Sequence, residues 1–378
     1  MLSILDQLQP DSRFEFLAFA PPDGPLQQTL RDRQIPVIPF TVRTVAGQKR
    51  TVSELVVQLN EVLQQHAVDL LHANSLSMSR LTGACARSQC EQTEFNRTQF
   101  TGHLRDLMKL SAATIRDLNA NHALVAVSHA TRTFHVAQGL ETERCAVIHN
   151  GVDCRVFHPP NRTAAECPVA FQVDPADRNP LPATIPGNAF VVLTAGQICL
   201  RKGLLDVAQA MVRLIPRYPQ LHWLVAGARY SDKAESREFE DLLRQCFAVH
   251  GLQQHLHLPG ICNQMQCLMQ RCQLLVHGAR QEPFGRVLLE AAASGLPIVA
   301  TDVGGTGEML RNETDALLVK PNAAAELAQA IECCLLEPAA MHRRACSARE
   351  RIRNRFSVEQ AAQAHADFWL DSVIRQNC

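Results

Sequence analysis

Two carboxylates, Glu282 and Glu290, stand eight positions apart in the stretch RQEPFGRVLLEAAASG, and Glu290 lies within an apolar run. A charge buried there without a partner would be strongly destabilising. Carboxylates accept hydrogen bonds, and the adjacent hydroxyl groups of a sugar or a ribose could donate them. A structural arginine at Glu290 and a solvated loop position at Glu282 would also explain the pattern, so its spacing alone leaves both interpretations open.

Glu282 precedes Pro283, which disfavours the α conformation at Glu282 and suits the first position of a helix. We therefore expect a helix that starts at Pro283 or Phe284, directly after the strand-like run QLLVHGA. The N–H groups and the dipole at such a helix start favour an anion such as phosphate. Glu290 lies about 12 Å further along the helix. A sugar at Glu282, a ribose at Glu290 and a phosphate between them is one coherent interpretation.

A second candidate group is the pair of cations Arg201 and Lys202 in the stretch LTAGQICLRKGLLDVAQAM. Cations at a helix start oppose the helix dipole by about 0.3–1 kcal/mol. A lysine–phosphate pair at ~4 Å is worth about 4 kcal/mol at an effective dielectric of about 20, so a bound phosphate would reverse that balance. A solvated basic turn is the alternative. The sequence has no GxxxxGK[ST] or GxGxxG motif, which argues against a P-loop and weakens a dinucleotide dehydrogenase.

Two further motifs carry weaker signals. Gly304 and Gly305 in VATDVGGTGEML follow a predicted strand, and glycines permit a tight turn and close backbone approach. His103 in TGHLRD could donate a hydrogen bond or act as a base, because imidazole titrates near neutrality. A structural role is the alternative for His103, since the chain has 15 histidines.

Short apolar runs alternate with helix-length stretches along the chain, most clearly in its C-terminal half. This order is typical of parallel β-sheets with helices on both faces. The C-terminal strand candidates are FVVLTAG (190–196), LHWLVAGA (221–228), LHLPG (256–260), QLLVHGA (273–279), LPIVATD (296–302) and ALLVKP (316–321). The N-terminal candidates are FEFLAFA (14–20), IPVIPF (35–40), DLLHAN (69–74), ALVAVSH (123–129) and CAVIHNG (145–151).

The length of 378 residues allows two domains of ordinary size. A polar, Pro-rich segment predicts a linker over 166–187. We therefore predict an α/β protein with one Rossmann-like domain over 1–165 and another over 188–356, followed by a helical segment over 357–378. Ligands of such sheets bind at the carboxyl ends of the strands, and a cleft between two such domains is a common small-molecule site.

Composition excludes several classes of protein. Lys+Arg and Asp+Glu both number 37, which argues against a strongly basic nucleic-acid surface. The 14 cysteines follow no disulfide framework and indicate buried or free thiols in a reducing compartment; Cys262, Cys267 and Cys272 lack zinc-ligand spacing. No apolar run reaches about 18 residues, and the start MLSILDQLQPD is not typical of a signal peptide, so we expect a cytoplasmic protein.

Together these motifs resemble those of the retaining GT-B glycosyltransferases of family 4. EPFGRVLLE resembles the E-x7-E motif of that family, GQICLRKG its G-R-x-x-x-K-G loop, and VGGTGE its GG-x-x-E turn, while VSHATR…VIHNGVD resembles the end of its N-terminal domain. The motifs occur in the family's order over most of the chain. The resemblance implies two Rossmann-like domains that face each other across a cleft, with the last helix crossing back to the N-terminal domain.

The resemblance also implies a role for each matching residue. Glu290 would bind the ribose of a nucleotide-diphosphate sugar, and Glu282 would contact its sugar. Lys202, helped by Arg201, would neutralise the diphosphate. The other implied contacts are His103 reaching the sugar from the N-terminal domain, the backbone at Phe284 and Gly285, the position of Gln197, and a base pocket at Gly260 and Ile261.

The activity implied is transfer of the sugar to an acceptor hydroxyl with retention of the anomeric configuration. No metal and no further cofactor are expected, because the cations and the helix dipole would stabilise the leaving diphosphate. The acceptor would be a glycan or a lipid-linked molecule in polysaccharide or glycoconjugate synthesis, which allows peripheral membrane association. No nucleic-acid partner is expected.

Two features depart from the family. Gln197 stands where the family usually has arginine, and Arg201 could compensate for the lost cation. The family's chains begin with a strand and a Gly-rich loop, whereas Met1 here begins in what resembles the helix that follows them. We therefore expect an N-terminal domain without its first strand, from a miscalled start or a truncated form.

Three functions stay open from the sequence. The first is the glycosyltransferase activity that the resemblance implies. The second is another GT-B enzyme, such as a sugar-nucleotide epimerase that needs no acceptor, or a glycan phosphorylase that needs a pyridoxal phosphate lysine. The third is an inactive, truncated binder of nucleotide sugars.

Overall fold

The computed structural model describes residues 1–44, 46–90, 98–160, 171–172, 185–229 and 234–374. The chain divides into two compact units, Met1–Asn150 with Val358–Cys378, and Gly151–Ser357. The sequence-based boundary was placed at residue 165, and most of the predicted linker (166–187) lies outside the described residues. Each unit is described below by itself.

The second unit contains one mostly parallel sheet. Its strands are β7 (Phe171–Gln172), β8 (Phe190–Ala195), β9 (Leu221–Ala226), β10 (Leu256–Cys262), β11 (Leu274–His277), β12 (Ile298–Thr301) and β13 (Leu317–Val319). They lie in the order β13-β12-β11-β8-β9-β10-β7, with only β7 antiparallel among these pairs. Without β7 this is the doubly wound Rossmann order, and each of the six predicted C-terminal strands is confirmed.

Helices connect these strands and cover the sheet. They are α7 (Leu204–Leu214), α8 (Ala234–Ala248), α9 (Met265–Arg271), α10 (Arg286–Ala293), α11 (Thr306–Met309), α12 (Ala324–Leu336) and α13 (Pro338–Arg355). Fully buried side chains such as Trp223 of β9 and Met211 of α7 form the core between sheet and helices. Burial of such large apolar groups is worth about 1.5–3 kcal/mol each, so this core holds the strand ends in fixed positions.

The first unit has two parallel sheets in its described residues. The first pairs β1 (Ala18–Ala20) with β2 (Val37–Pro39), and the second has the order β3 (Leu70–Ala73), β4 (Gln99–Leu104), β5 (Ala123–Ala126), β6 (Cys145–Val147). No strand pair joins these two sheets among the described residues. The sequence analysis missed β4, although all six of its residues are buried.

The helices of the first unit are α1 (Leu2–Leu8), α2 (Pro25–Asp32), α3 (Val52–Gln65), α4 (Leu76–Cys90), α5 (Ala112–Asn119), α6 (His129–Val136) and α14 (Val358–Ile374). The C-terminal helix α14 packs on α1, where Trp369 shares a buried cluster with Ile4 and Leu8. The indole ring of Trp369 also contacts the rings of Phe14 and Phe16 edge-on. The last helix therefore belongs to the first unit, as the resemblance implies.

Two sequence-based details need correction. The helix after β11 starts at Arg286 rather than at Pro283 or Phe284, because Gly285 caps it with a positive φ of 83°. Cys267 is disulfide-bonded, whereas ten other described cysteines are free thiols. Among the described residues, no helix is both long and apolar enough to span a bilayer.

Candidate functional site

The candidate site of the second unit lies where the chain direction across the sheet reverses. β8 and β11 are hydrogen-bonded neighbours in the middle of the sheet, and their connections leave in opposite directions to β9 and β12. Loops that follow the carboxyl ends of two such strands diverge and open a crevice, which is where doubly wound sheets bind ligands. The predicted motifs RKG and QEPFG occupy these two loops.

The two loops are docked through their backbones. The N–H of Arg280 donates to the carbonyl of Arg201 at 2.9 Å, and the Arg280 guanidinium pairs with Asp206 at the start of α7. Gly203 has a φ of 60°, and a Cβ at this position would stand 1.8 Å from the carbonyl oxygen of Gly278. Only glycine allows this approach, so the glycine of the RKG motif sets the position of the lysine before it.

The double glycine of the third motif supports Glu282 from the other side. The N–H of Gly305 donates to the carbonyl of Glu282 at 3.1 Å. Gly304 has a φ of 55°, and an added Cβ would lie 1.9 Å from the same carbonyl oxygen. The turn after β12 therefore packs directly against the backbone of Glu282.

The side chains of Lys202, His277 and Glu282 converge between these loops. The Lys202 ammonium donates to Glu282 Oε2 at 2.5 Å, and His277 Nε2 lies 3.0 Å from the same oxygen. His277 and Glu282 are both buried, with 2% and 6% exposure, and Lys202 is half-buried. The structure thus brings together two of the predicted site residues and adds His277, which the sequence analysis did not single out.

Glu282 is ionised in this arrangement. Burial alone would raise the pKa of its carboxyl, but the hydrogen bond from His277 and the charge of Lys202 outweigh burial and lower the pKa to about 2. Burial also lowers the pKa of His277, and Lys202 and Arg201 add to that shift although Glu282 opposes it. We therefore assign a neutral imidazole that donates from Nε2 to a charged carboxylate.

Glu290 lies on α10 and is half-buried. Its carboxylate pairs with Arg286 at 3.2 Å, one helical turn earlier, and the Arg286 side chain is 68% exposed. Burial raises the pKa of Glu290, and Arg286 only partly offsets this rise. The structural arginine that the sequence left open is present, but a pair whose arginine is mostly exposed contributes little stability.

The remaining donor-site candidates lie along the same edge of the sheet. Gln197 is half-buried in the loop after β8, where Arg201 is exposed, and Ile261 is half-buried near the end of β10. The Phe284 ring is buried and lies 5.8 Å from the Phe356 ring. Because this ring is buried, the predicted ligand contact at Phe284 would involve its backbone.

His103, the candidate from the first unit, lies near the carboxyl end of β4 and is 1% exposed. Neither of its ring nitrogens has a hydrogen-bond partner among the described residues. Its ring lies 5.7 Å from that of His72 and 5.4 Å from that of His365. Burial, with smaller effects from His72 and Arg105, lowers the pKa of His103 well below its usual value, so this imidazole is neutral.

Two family models match the chain. One, described as Glycosyltransferase Family 4, matches residues 7–156, and the other, Glycosyl transferases group 1, matches residues 177–353. The chain belongs to the family 4 GT-B glycosyltransferases. Its GT-B fold is similar to that of HepE from Anabaena, solved in complex with UDP-glucose, with a TM-score of 0.78 at 22% identity over 97% of this chain and 94% of that one.

Two relatives that the chain matches are named for glycan synthesis. The chain is 29% identical over 243 residues to a glycogen synthase of Mycobacterium tuberculosis, which covers 64% of this chain and 56% of that enzyme. It is 28% identical over 218 residues to the lipopolysaccharide core mannosyltransferase LpcC of Rhizobium leguminosarum, which covers 58% and 57%. The chain thus matches little more than half the length of these family 4 relatives.

Proposed function

We propose that this chain transfers a sugar from a nucleotide-diphosphate sugar to an acceptor hydroxyl with retention of the anomeric configuration. The observation that carries the proposal is the contact between Lys202 and ionised Glu282 at the switch point of the second unit's sheet. A cation suits the diphosphate, and a carboxylate suits sugar hydroxyls. Family membership supports the same assignment.

Lys202 and the start of α10 would bind the leaving diphosphate. The first N–H groups of a helix have no intrahelical acceptor and favour an anion, and Gly285 places this helix start three residues after Glu282. Together they stabilise negative charge as the bond between the anomeric carbon and the diphosphate oxygen breaks. We therefore propose a reaction that needs no metal, which addition of EDTA to the assay tests directly.

The acceptor oxygen would attack the anomeric carbon from the face that the diphosphate leaves. A new carbon–oxygen bond forms as the bond to the diphosphate breaks, and the acceptor proton passes to a phosphate oxygen of the leaving group. Glu282 would hold the sugar by its hydroxyls rather than as a nucleophile. We also propose a glycan or lipid-linked acceptor, since the matched relatives are named for glycan synthesis.

The test is a panel of UDP-, GDP- and ADP-sugars with glycan and lipid-linked acceptors, followed by NMR of the product. UDP-glucose is the first donor to try, because the HepE structure contains it. We expect release of the nucleoside diphosphate and an anomeric configuration that matches the donor, unaffected by EDTA. An inverted product contradicts retention, and loss of activity with EDTA contradicts metal independence. Epimerised donor without transfer contradicts the proposed reaction class.

A further inference from the structure

In the described part of the chain, Glu282 has two side-chain partners, His277 and Lys202, and the His277 side chain is the more firmly held of the two. His277 is the last residue of β11, an inner strand between β8 and β12, and its backbone pairs in register with Ala300. The hydroxyl of Thr301, on the neighbouring strand β12, donates to the carbonyl of Ala279 at 2.5 Å and lies 3.3 Å from that of His277. At 2% exposure the His277 ring is fixed by packing, so its Nε2 presents a donor in a constant direction.

Lys202 holds the same carboxylate oxygen in a different way. It lies in a short 3-10 turn, Leu200–Lys202, and reaches Glu282 with a flexible four-carbon stem. Its side chain keeps 14% exposure, compared with 8% for that of Glu282. A side chain of this kind can turn towards a phosphate, whereas the buried ring cannot follow it.

From this geometry, and resting on the proposed function, we propose that His277 is a positioning residue that keeps Glu282 aimed when the donor diphosphate draws Lys202 away. A neutral N–H donor suits this task because the incoming phosphate does not attract it as it attracts a cation. Oε1 of Glu282, to which His277 does not donate, is then available to accept hydrogen bonds from the sugar.

The electrostatics of the site agree with this division of roles. Burial raises the pKa of Glu282, and its described partners that oppose this effect are His277 and Lys202. If Lys202 moves to the phosphate, His277 remains to stabilise the charged form. Without His277, the carboxyl would bind a proton more readily and would lose acceptor capacity for sugar hydroxyls.

The experiment compares His277→Leu, which removes the donor at similar size, with His277→Gln, which keeps an N–H donor. Nucleoside diphosphate release at pH 7 gives kcat and KM, and calorimetry gives the Kd of the bare nucleoside diphosphate. Thermal midpoints report folding. His277→Asn, which is too short to reach Oε2, replaces the leucine variant if that variant does not fold. A double variant combines His277→Leu with Glu282→Gln.

We expect His277→Leu to lower kcat by about 10- to 100-fold, because a hydrogen bond to a charged group is lost. The Kd of the bare nucleoside diphosphate should equal that of the wild type. His277→Gln should restore much of the lost kcat, because it keeps an N–H donor. The double variant should be no slower than Glu282→Gln alone, since His277 acts through that carboxylate.

Two results would overturn the role of His277 and leave the proposed function of the site intact. A folded His277→Leu protein with wild-type kcat contradicts the role of His277 alone. Additive losses in the double variant contradict action through Glu282. If instead the wild type releases no nucleoside diphosphate from any donor, or Glu282→Gln is fully active, the proposed function of the site fails and this role fails with it.

Discussion

Lys202 and Glu282 are 80 residues apart in the chain, yet the ammonium of one lies 2.5 Å from the carboxylate of the other. The contact depends on backbone docking, because Arg280 binds the carbonyl of Arg201 and Gly305 binds that of Glu282. The two charges occupy the carboxyl edge of the sheet, where β8 and β11 diverge.

Replacing Lys202 tests the proposed phosphate contact. Lys202→Met should raise the Kd of the nucleoside diphosphate at least about tenfold, because a cation at the phosphate is lost. Calorimetry measures this Kd, and Lys202→Arg should bind with intermediate affinity. Lys320→Met is a matched control, since Lys320 is exposed at the end of the sheet's edge strand β13. Equal affinities for all these proteins would show that Lys202 does not bind the diphosphate.

Gly304→Ala tests whether the double glycine positions Glu282. The new Cβ would lie 1.9 Å from the Glu282 carbonyl oxygen, so the turn must move and carry Glu282 with it. We expect turnover to fall at least about tenfold, as small displacements of positioning groups produce large rate losses. Gly251→Ala is the control, because Gly251 also has a positive φ but an added Cβ meets nothing within 4 Å. Its cost should be limited to about 1–2 kcal/mol of stability.

Glu290 and Arg286 can be separated by their effects on stability and binding. Because Arg286 is 68% exposed, Arg286→Leu should change the free energy of unfolding by about 0.5 kcal/mol or less. Glu290→Gln should raise the Kd of the nucleoside diphosphate about tenfold if Glu290 binds the ribose. Urea unfolding and calorimetry measure the two quantities. A large stability loss in both variants with unchanged nucleotide affinity would instead favour the purely structural pair.

A histidine cluster in the second unit predicts acid sensitivity. His222 Nδ1 lies 3.0 Å from His257 Nε2, and the His255 ring is 4.7 Å from that of His222. Burial, then His222 and His255, lower the pKa of His257 from 6.5 to about 4. The unfolded chain therefore binds more protons below pH 6.5, so stability present above that pH falls progressively towards pH 4, by roughly a few kcal/mol.

Urea unfolding at pH 7.5, 6, 5 and 4.5 measures this effect of pH. His257→Asn should reduce the dependence of stability on pH, because asparagine binds no proton in this range. The exposed His250 provides the control variant His250→Asn, which should keep the wild-type slope. If His257→Asn and the wild type lose stability in parallel, the His257 cluster is not a source of the acid sensitivity.

The sequence predicted the second unit better than the first for a physical reason. Its central strands β8, β11 and β12 are continuous apolar runs that are almost fully buried, as in FVVLTAG, and such runs are readily distinguished from amphipathic helices. The missed strand β4, QFTGHL, carries Gln99, Thr101 and His103, which are buried polar groups. Their partners come from other segments, such as the Ser79 hydroxyl that accepts from the His103 N–H, and sequence pattern does not reveal them.

The site shows the same contrast. The motifs predicted that Lys202 and Glu282 serve one ligand, and the structure joins them directly. The helix α10 begins at Arg286 because Gly285 has a positive φ. The sequence analysis placed the start earlier, since Pro283 suits the first position of a helix. His277 was overlooked because it ends an apolar strand, and its contact with Glu282 arises only when the intervening turn folds back. A histidine as the last residue of a buried strand just before a motif is the signal that could have found it.

The most direct test of the account is donor turnover by the wild type and Glu282→Gln, with Glu337→Gln as a control at an exposed glutamate of the same unit. Release of nucleoside diphosphate from the panel of nucleotide sugars is measured at saturating donor. We predict turnover with at least one donor in the wild type and the control, and a loss of about 100-fold or more in Glu282→Gln. Equal rates in all three proteins, or no turnover in any, would contradict the assignment of this site.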